Sequence, residues 1–506
     1  MISISRLIDI NNYLNIRDKM IKISEKEVFE KLSFDNAWWS DDPTDGIGQR
    51  MRAYPRRSYF QPFSRLIKDA SINRAIVLMG PRRVGKTVMA LHAIQDLIDS
   101  GVSPRAILYA NLEEPLYTGI PLAKLLNMFL AHWQHDKDAA VYAFFDEVQY
   151  LKDWEVHLKS LVDAYPAFRF VATGSAAAAL RLKSNESGAG RFTDFVLPPL
   201  TFAEYLRFIG KEEALIHVKN DEESGGPGAL DRYATNDVEA LNAEFINYLN
   251  FGGYPEAVMS PTVQADTGRF IKNDIIDKVL LRDLPSLYGI NDIQELNRLF
   301  TSLAYNTGNE VSLEALSREA GVAKNTLKRY MEYLAAAFLL RRMGRIDQNA
   351  RHFKKVTSFK VYLTNPSMRS ALFGHVKPDN DMVIGHLTET AIFSQWLHSS
   401  VIDHLYYCRW NGGEVDIVYL APNDQRPQWV VEVKWSDRPW SIPSELDSCV
   451  EFVERSRLVK PLNGVHVAVT SKTITGKKEY RGVTFQFLPA SLYAYMLGAN
   501  LLALKN

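Results

Sequence analysis

The segment AIVLMGPRRVGKTVMALHAIQDLI, residues 75–98, predicts a buried strand, a glycine-rich turn and a helix in direct succession. Its centre fits the spacing G-x-x-x-x-G-K-[ST], in which the glycines let backbone N–H groups point at phosphate oxygens. Lys86 is expected to reach the β- and γ-phosphates, and Thr87 to hold Mg²⁺. The helix adds its partially positive N-terminus. We therefore predict an ATP site, with both arginines solvated, at Gly80, Pro81, Arg82, Arg83, Val84, Gly85, Lys86, Thr87 and Val88.

A second apolar run, YAFFDEVQ at residues 142–149, ends in two carboxylates. Asp146 is predicted to hold the Mg²⁺ of the bound nucleotide together with Thr87. Glu147 is predicted to polarise the attacking water. A strand that ends in Asp-Glu is common by itself, but after a phosphate-binding loop it indicates nucleotide hydrolysis.

Three further residues are candidates for sensing the bound phosphate. The run FRFVATGS, residues 168–175, places Thr173 and Ser175 where a side chain could contact the γ-phosphate or the water. The alternative for both is a cap of the next helix. Arg191, in the loop ESGAGRF, could serve as an arginine finger or sensor, and its alternative is a surface position. The predicted catalytic set for hydrolysis is Lys86, Glu147, Ser175 and Arg191.

Apolar runs that alternate with helical patterns favour an α/β fold with a parallel sheet buried on both faces. Helical segments follow until about residue 350, and a mixed α/β region comes after them. An acidic, glycine-rich stretch at 220–231 marks a loop or insertion. The predicted domains are a helical arm at 1–68, a P-loop ATPase domain at 69–210, a helical linker with a helix–turn–helix at 211–350, and an α/β domain at 351–506.

The composition excludes several classes of protein. A hydrophobic fraction of 46% and a charged fraction of 23% are those of an ordinary globular protein. Formal net charge is zero, so DNA binding would need a local basic face. The two cysteines, Cys408 and Cys449, are too few for a disulfide scaffold and favour the cytoplasm. We expect no signal peptide and no membrane span, because no run of about 18 or more apolar residues exists.

The stretch VSLEALSREAGVAKNTLKRYMEYLAAAFLLRR, residues 311–342, has the rhythm of a helix–turn–helix. One helix is expected to end near Gly321. The apolar face of the second is formed by Leu327, Tyr330 and Leu334. Three basic residues fall at the start of this second helix, where they could meet phosphates or base edges in a major groove: Lys324, Lys328 and Arg329. The alternative is a solvated helix face packed on the ATPase domain.

The stretch NGGEVDIVYLAPNDQRPQWVVEVKW, residues 411–435, reads as two apolar strands that carry three charges. Asp416 lies in the first strand, and Glu432 and Lys434 share one face of the second, since alternate residues of a strand point the same way. A PD-(D/E)xK nuclease core binds Mg²⁺ with such carboxylates and uses the lysine on the water. Glu389, in an upstream helix, would complete the metal ligands with Asp416 and Glu432. The alternatives are an inactive binding module and a solvated sheet edge.

Several motifs converge on one family: GPRRVGKT, FFDEVQYLKDWEVHLKSLVD, VATGS, GAGRF, LPPLTFAEYL, FGGYPEAV, LRDLPSLYGI, KVYLTNPSMRSAL, GGEVDIVY and VVEVKW. Together they resemble the prokaryotic AAA-type, STAND-related ATPases that carry a C-terminal domain of unknown function with a restriction-endonuclease-like core. The resemblance covers roughly residues 60–490. It implies a nucleotide-binding domain, a winged helix and a PD-(D/E)xK-like domain in one chain. The long N-terminal arm and the 220–231 stretch depart from it, and the family does not supply a substrate.

From these patterns we expect a cytoplasmic, homo-oligomeric ATPase that uses ATP and Mg²⁺ and binds DNA. Nucleotide turnover would be coupled to recognition or processing of branched or foreign DNA, with Mg²⁺-dependent cleavage left open. One alternative is a nucleotide-switched signalling or defence ATPase whose nuclease-like domain is an inactive binding module. Another is a structural DNA-binding ATPase that does not cut.

Overall fold

The structure is a computed structural model of the chain. It describes residues 24–40, 53–175, 190–219, 232–290, 292–353, 358–423, 425–456 and 465–503. Much of the predicted N-terminal arm and the whole 220–231 stretch lie outside these ranges. Within them, no helix is both long enough and apolar enough to cross a membrane.

The first sheet has five parallel strands in the order β2-β3-β4-β1-β5. The strands are β1 (Ala75–Met79), β2 (Ile107–Asn111), β3 (Tyr142–Asp146), β4 (Arg169–Gly174) and β5 (Phe192–Val196). Every residue of β1 is buried, with Ile76 and Leu78 in one hydrophobic cluster and Val77 and Met79 in another. This burial on both faces explains the uninterrupted apolar run and confirms the predicted parallel sheet.

Helices cover both faces of this sheet. They are α1 (Glu25–Asp35), α2 (Phe60–Lys68), α3 (Lys86–Asp99), α4 (Leu122–Trp133) and α5 (Trp154–Ala164). Helices α2 and α3 pack on the side of Ile76 and Leu78, and α1, α4 and α5 pack on the other. The chain after α1 also protects the sheet edge, because the Asn36 side chain makes hydrogen bonds of 2.8 and 2.7 Å to the backbone carbonyl and N–H of Tyr109 in β2.

Short helices connect this domain to the rest of the chain. They are α6 (Phe202–Phe208), α7 (Glu212–Leu215), α8 (Val238–Phe251), α9 (Pro255–Met259), α10 (Pro261–Ala265), α11 (Thr267–Ile271) and α12 (Leu284–Tyr288), with a small hairpin, β6 (His217–Val218) and β7 (Tyr233–Ala234), before α8. Between α11 and α12 the chain forms two π-helical segments, Lys272–Asp277 and Val279–Asp283. Residues 255–283 are called the connecting segment from here on.

A helix–turn–helix and a hairpin follow. The elements are α13 (Ile293–Tyr305), β8 (Glu310–Ser312), α14 (Leu313–Ala320), α15 (Lys324–Ala336), β9 (Leu340–Ile346) and β10 (Ser358–Leu363). Gly321 ends α14 as predicted, with a φ of 68° that glycine adopts without strain. The predicted apolar face of the second helix is buried through Leu327, Tyr330 and Leu334.

The hairpin continues into a mixed nine-stranded sheet of order β15-β16-β14-β13-β12-β11-β9-β10-β8. Its other strands are β11 (Leu405–Trp410), β12 (Gly413–Leu420), β13 (Pro427–Glu432), β14 (Val467–Ser471), β15 (Gly476–Tyr480) and β16 (Val483–Pro489). The remaining helices are α16 (Ser367–Phe373), α17 (Asp381–Gln395), α18 (Arg438–Ser441), α19 (Asp447–Ser456) and α20 (Ala490–Ala503).

The predicted domain boundary at residue 350 is wrong. It falls between β9 and β10, which pair with each other in antiparallel fashion, and β9 also pairs with β11 in parallel. Met343 of β9 and Tyr362 of β10 share a hydrophobic cluster with Ile417 of β12, so the hairpin cannot separate from the C-terminal strands without exposing apolar surface. The helix–turn–helix region and the C-terminal region therefore form one unit.

A buried ion pair joins the N-terminal residues to the ATPase domain and generates a stability prediction. Arg57 is 5% exposed and Glu204 is fully buried, and the two are joined by bonds of 2.8 and 3.0 Å. Arg57→Met would leave the Glu204 carboxylate buried beside no cation, so the ATPase domain should lose about 3–5 kcal/mol of stability. The midpoint of urea denaturation measures the loss.

The matched control is Arg191→Met, which breaks an ion pair with Asp163 in which both side chains are nearly half exposed. Solvent screens that pair, so the expected loss is below about 1 kcal/mol. Equal losses in the two variants would contradict a structural role for Arg57.

Candidate functional site

The phosphate loop has the geometry that its spacing predicts. Strand β1 ends at Met79 and α3 begins at Lys86, so the turn is as short as expected. Gly80 leaves no room for a side chain, because a Cβ there would lie 2.2 Å from the carbonyl oxygen of Leu197. Gly85 has a φ of 93°, which favours glycine. The turn therefore delivers the chain to a helix N-terminus that attracts phosphate.

Lys86 lies buried inside this turn. Its Nζ donates hydrogen bonds to the carbonyl oxygens of Pro81 at 2.8 Å and Gly80 at 3.2 Å. Burial lowers the pKa of Lys86, and the charges of Glu147 and Asp146 oppose that shift. The ammonium is thus held at the centre of the loop, where the phosphates are predicted to lie.

Asp146, at the end of β3, accepts hydrogen bonds from three hydroxyl groups. Thr87 Oγ1 and the Tyr109 hydroxyl each donate to its Oδ2 at 2.8 Å, and the Thr173 hydroxyl donates to its Oδ1. The two predicted Mg²⁺ ligands, Thr87 and Asp146, are therefore in direct contact. Tyr109 was not among the site residues predicted from the sequence. It lies in the apolar run of β2, close to the end of the strand, as the other site residues do in theirs.

Glu147 is half-buried next to Asp146 and has a φ of 55°, in the left-handed region that a non-glycine residue seldom adopts. Its N–H donates to Thr173 Oγ1 at 3.2 Å, and its carboxylate accepts a bond from Gln149. Burial raises the pKa of Glu147, and Lys86 acts in the opposite direction. Strained backbone of this kind clusters at functional sites, which fits the predicted role of Glu147.

Ser175 has a buried hydroxyl that finds no hydrogen-bond partner in the described part of the chain. Its N–H donates to Gln149 Oε1 at 3.2 Å, which fixes the end of β4 beside Glu147. A buried hydroxyl without a partner is unfavourable unless a ligand or water completes it. The geometry therefore fits the predicted contact of Ser175 with phosphate or water.

The prediction that both loop arginines are solvated is wrong for Arg82, whose side chain is 13% exposed, and holds for Arg83, which is exposed but paired. Both nitrogens of one edge of the Arg82 guanidinium lie 2.9 Å from the Asp283 carboxylate. Arg83 donates to Glu256 at 3.0 Å and to Asp274 at 3.1 Å. All three carboxylates belong to the connecting segment, which lies against the loop. The arginines are therefore shared between the ATP site and that segment.

The apolar residues of the loop shape it from inside. Val84 is fully buried, and its carbonyl oxygen accepts a hydrogen bond from Arg57 Nη1 at 2.8 Å. Pro81 is buried and Val88 is half-buried in the first turn of α3. Contact of their backbone with nucleotide remains a prediction.

Arg191 lies at the opposite end of the sheet. Its carbonyl oxygen accepts a hydrogen bond from the N–H of Ala75, the first residue of β1, whereas the phosphate loop follows the last. Strand β1 spans about 15 Å at the usual rise per residue. The Arg191 side chain contacts Asp163 at 2.5 Å instead. A sensor or finger role for Arg191 at its own chain's loop is therefore wrong, and the surface alternative holds.

The residues at this sheet edge fit Mg²⁺–ATP. Lys86 supplies a fixed cation, Thr87 and Asp146 supply oxygen ligands, and Ser175 offers a hydroxyl that no other described residue occupies. When bound, the nucleotide would supply the phosphoryl group for attack by water. Glu147 is the carboxylate beside that position.

The predicted DNA-contacting residues lie on the solvent side of α15. The side chains of Lys324, Lys328 and Arg329 are all exposed. Lys324 contacts Glu314 of α14 at 2.7 Å, in a pair where both side chains are more than half exposed. This exposure fits the solvated helix face of the alternative as well as DNA contact, so DNA contact remains a prediction.

The C-terminal charges meet as predicted. Lys434 Nζ lies 2.6 Å from Glu432 Oε1 and 3.7 Å from Asp416 Oδ2. Asp416 Oδ2 also accepts the N–H of Val433 at 2.9 Å. Glu389 reaches the same place from α17. Glu432 is the last residue of β13 and Lys434 lies beyond the strand, so the predicted strand position of Lys434 is wrong although the two side chains meet.

Sequence reasoning missed three members of this cluster. Lys360, on β10, lies 2.8 Å from Glu389 and 2.8 Å from Glu414. Its distance to Asp416 is 3.5 Å. Tyr362, two residues later, donates its hydroxyl to Glu389 at 2.6 Å. A charge inside the apolar strand SFKVYL was the signal for Lys360, and it is the same kind of signal that identified Asp416.

Burial and ion pairing shift the pKa values of the carboxylates in this cluster in different directions. Burial, and then the charge of Asp416, raise the pKa of Glu432 to about 7. Burial also raises the pKa of Glu389. Burial would raise the pKa of Asp416 as well, but Lys434 and Lys360 outweigh it and lower that pKa. Asp416 is therefore the carboxylate that stays ionised between the two lysines.

This arrangement does not fit the predicted Mg²⁺ site at Glu389, Asp416 and Glu432. Across the residues that the structure describes, no group of three or more His, Cys, Asp or Glu side chains is placed to hold a metal ion. Each predicted ligand instead has a lysine ammonium as its partner. The two ammonium groups therefore balance the charge of these carboxylates in the absence of a metal ion.

Comparison with known proteins agrees with the geometry of the phosphate loop. Residues 72–206 match the AAA domain, and residues 242–379 match a domain of unknown function, DUF8612. The chain therefore carries an AAA-type P-loop ATPase domain and is an ATPase. The second match ends before Asp416, Glu432 and Lys434, so it does not bear on the nuclease-like expectation.

One curated relative is an uncharacterized protein of Haemophilus influenzae, which is 24% identical over 324 residues that span 63% of this chain and 73% of the relative. Another is an uncharacterized protein of Methanocaldococcus jannaschii, which is 24% identical over 369 residues that span 69% of this chain and 73% of the relative. Two solved structures are the replication initiator DnaA bound to AMPPCP and single-stranded DNA (TM-score 0.26, 13% identity, 56% of this chain and 88% of that chain) and the S. cerevisiae Hsp104:casein complex (TM-score 0.29, 14% identity, 59% and 53%). TM-scores this low carry no functional information.

Two substitutions separate nucleotide binding from hydrolysis. Lys86→Ala should abolish hydrolysis and weaken ATP binding, because the loop loses its cation. Glu147→Gln should keep ATP binding but slow turnover by about 100-fold or more, because an amide cannot accept the proton of the attacking water. Phosphate release and titration with a fluorescent ATP analogue measure the two effects.

Arg191→Ala is the control and should turn over at the wild-type rate, since Arg191 lies at the far end of the sheet. Unchanged turnover in Lys86→Ala would refute the assignment of the loop.

Proposed function

We propose that this chain is an ATP-driven DNA-binding protein, in which nucleotide at the phosphate loop controls how the helix–turn–helix engages DNA. One observation carries the proposal: both arginines of the phosphate loop are ion-paired with the connecting segment. That segment leads directly into the helix–turn–helix. A change at the phosphates therefore reaches the basic face of α15 through few intermediates.

The coupling has a physical basis in competition for Arg82. Phosphate oxygens form strong charge-assisted hydrogen bonds with a guanidinium, as the Asp283 carboxylate does here. Nucleotide bound in the loop would therefore weaken the ion pair between Arg82 and Asp283 of the connecting segment. Leu280 of that segment packs in the same hydrophobic cluster as Leu299 of α13 and Leu327 of α15. Movement of the segment would thus shift the helix–turn–helix.

The order of elements supports a winged helix. Helix α13, strand β8, helices α14 and α15 and the β9–β10 hairpin follow one another, and the three strands pair in the order β9-β10-β8. In this arrangement α15 is the recognition helix. Its N-terminal turn, with exposed Lys324 and Lys328, would meet phosphates, to which the helix N-terminus is also attracted.

The proposed substrate is DNA, branched or foreign DNA included. The weak, exposed ion pair between Lys324 and Glu314 would yield to a phosphate, because exposed pairs contribute little. The C-terminal order of α17, β11, β12, β13, α19 and β14 supports a PD-(D/E)xK-like fold. That domain would add contact surface for DNA.

A second candidate function is a nucleotide-switched signalling or defence ATPase whose C-terminal domain is an inactive binding module. The pairing of every predicted metal ligand with a lysine favours an inactive site. The two candidates differ in whether the chain binds DNA.

Neutralising the α15 face tests DNA binding. The triple variant Lys324→Ala, Lys328→Ala, Arg329→Ala should bind duplex, junction and single-stranded DNA more weakly. The slope of log affinity against log salt should fall by about 1 for each phosphate that the variant no longer neutralises, because fewer counterions are released. Fluorescence anisotropy across a salt series measures both quantities.

The control removes the same charge from the ATPase surface, through Lys26→Ala, Lys124→Ala and Lys152→Ala, and should retain wild-type affinity. Equal weakening in both triple variants would mean that binding is nonspecific. Absence of binding by the wild type to all three DNA forms would favour the second candidate.

Releasing Arg82 tests the coupling. In wild type, DNA affinity should differ between the nucleotide-free and the ATP-analogue-bound states. Asp283→Asn removes the charge that holds Arg82, so this difference should shrink by about threefold or more, which corresponds to a coupling near 1 kcal/mol. Asp277→Asn, on the same segment but away from Arg82, should keep the wild-type difference. A full nucleotide effect in Asp283→Asn would contradict this route.

A further inference from the structure

Lys360 is the least expected charge in the C-terminal half of the chain. It lies in the middle of β10, opposite Met343 of β9 and Glu310 of β8, and its side chain is 3% exposed. A buried ammonium is strongly unfavourable unless negative groups hold it. The surroundings of Lys360 therefore decide what this part of the molecule can bind.

The ammonium of Lys360 has three N–H donors, and three carboxylates surround it. Its Nζ lies 2.8 Å from Glu389 Oε1, 2.8 Å from Glu414 Oε1 and 3.5 Å from Asp416 Oδ1. The ring of Tyr407 lies 5.4 Å away and adds a cation–π contact. Burial lowers the pKa of Lys360, but its acidic neighbours, led by Glu389, outweigh burial and raise it well above the usual range. The ammonium is thus fully coordinated and charged.

Lys434 neutralises the other side of the cluster. Its Nζ lies 2.6 Å from Glu432 and 3.7 Å from Asp416. The Cys449 thiol donates to the second oxygen of Glu432 at 3.4 Å. A divalent ion placed among these carboxylates would lie within a few ångströms of two ammonium groups and would be repelled by both.

Lys360 cannot easily withdraw to make room for a metal. Strand β10 pairs with β9 on one side and with β8 on the other. Strand β9 in turn pairs with β11, which pairs with β12, the strand that carries Asp416. The backbone of Lys360 is thus fixed in a continuous sheet, and withdrawal of its side chain would break the ion pairs with Glu389 and Glu414. The lysine is therefore a fixed part of the cluster.

We propose that Lys360 is the resident cation of this cluster and takes the place predicted for Mg²⁺. The C-terminal domain then serves as a binding domain and has no metal-dependent cleavage activity. The inference concerns the C-terminal cluster alone. It deepens the second candidate function, in which the C-terminal domain is inactive, and it does not rest on ATP hydrolysis or DNA binding.

Manganese binding to the nucleotide-free, full-length protein tests this proposal. Electron paramagnetic resonance measures free Mn²⁺, and every sample carries Asp146→Asn so that the ATP site does not contribute. This parent should bind no Mn²⁺ at the cluster up to about 1 mM. Lys360→Met should bind one ion with a Kd at least about tenfold below that concentration. Removal of the ammonium leaves three carboxylates facing one another, which is the reason for the gain.

Thermal unfolding supplies a second measurement. Lys360→Met should melt at a lower temperature than the parent, and Mn²⁺ should restore part of the loss by replacing the missing positive charge. Mn²⁺ should not shift the parent. Lys472→Met is the control, because Lys472 pairs with Asp381, which lies outside the cluster, at 2.8 Å. It should behave as the parent does in both measurements.

Two results would overturn the proposal. One is a parent that binds a single Mn²⁺ tightly and loses it in Asp416→Asn, since the metal and Lys360 would then coexist. The other is a folded Lys360→Met that binds no Mn²⁺, since the lysine would then not stand in for a metal. If Lys360→Met does not fold even with Mn²⁺, Mn²⁺ binding by the parent is the deciding measurement. A parent without Asp416-dependent Mn²⁺ binding supports the proposal, and a parent with such binding overturns it.

Discussion

The buried ion pair between Arg57 and Glu204 fixes the phosphate loop, and the rest of the ATP site depends on that loop. Arg57 also donates to the carbonyl oxygens of Val84 within the loop and Pro198 after β5. The turn itself contains two residues at positive φ, Arg83 and Gly85, a conformation that persists only when its surroundings hold it. One guanidinium thus joins the chain before α2, the loop and the start of α6.

The two charged sites of this molecule differ in what remains unsatisfied. At the ATP site, Lys86 is held only by carbonyl oxygens among the described residues, and the Ser175 hydroxyl has no partner there. Those groups gain hydrogen bonds when phosphate arrives. In the C-terminal cluster, Lys360 and Lys434 already pair with all the nearby carboxylates. Groups that the fold leaves without a partner gain the most from a ligand, so the first site is suited to bind one, whereas the charges of the second already satisfy one another.

Local signals in the sequence predicted the features that depend on neighbouring residues. The apolar run, the glycines and Lys86 lie within one short segment, and the same holds for the turn at Gly321. Features that depend on distant partners were not predictable. Arg82 meets Asp283 from 201 residues away, and Lys360 meets Glu389 only because β10 joins the C-terminal sheet. Arg191 failed for the same reason, since no local pattern reveals which end of the sheet a loop residue occupies.

The continuity of the nine-stranded sheet limits where the molecule can move. The hairpin behind the helix–turn–helix and the strands that carry the C-terminal charges are one ladder, so they move together. The ATPase sheet is a separate ladder covered by its own helices, although one hydrophobic cluster contains residues of both sheets. Between the two sheets lies the connecting segment, whose π-helical stretches hold the carboxylates that contact Arg82 and Arg83. Such helices are uncommon and mark functional positions, because their hydrogen bonds are less favourable than those of an α-helix. Leu280 of the same segment lies in one hydrophobic cluster with Ile76 of β1 and Val361 of β10. A shift of the segment would therefore reach both sheets.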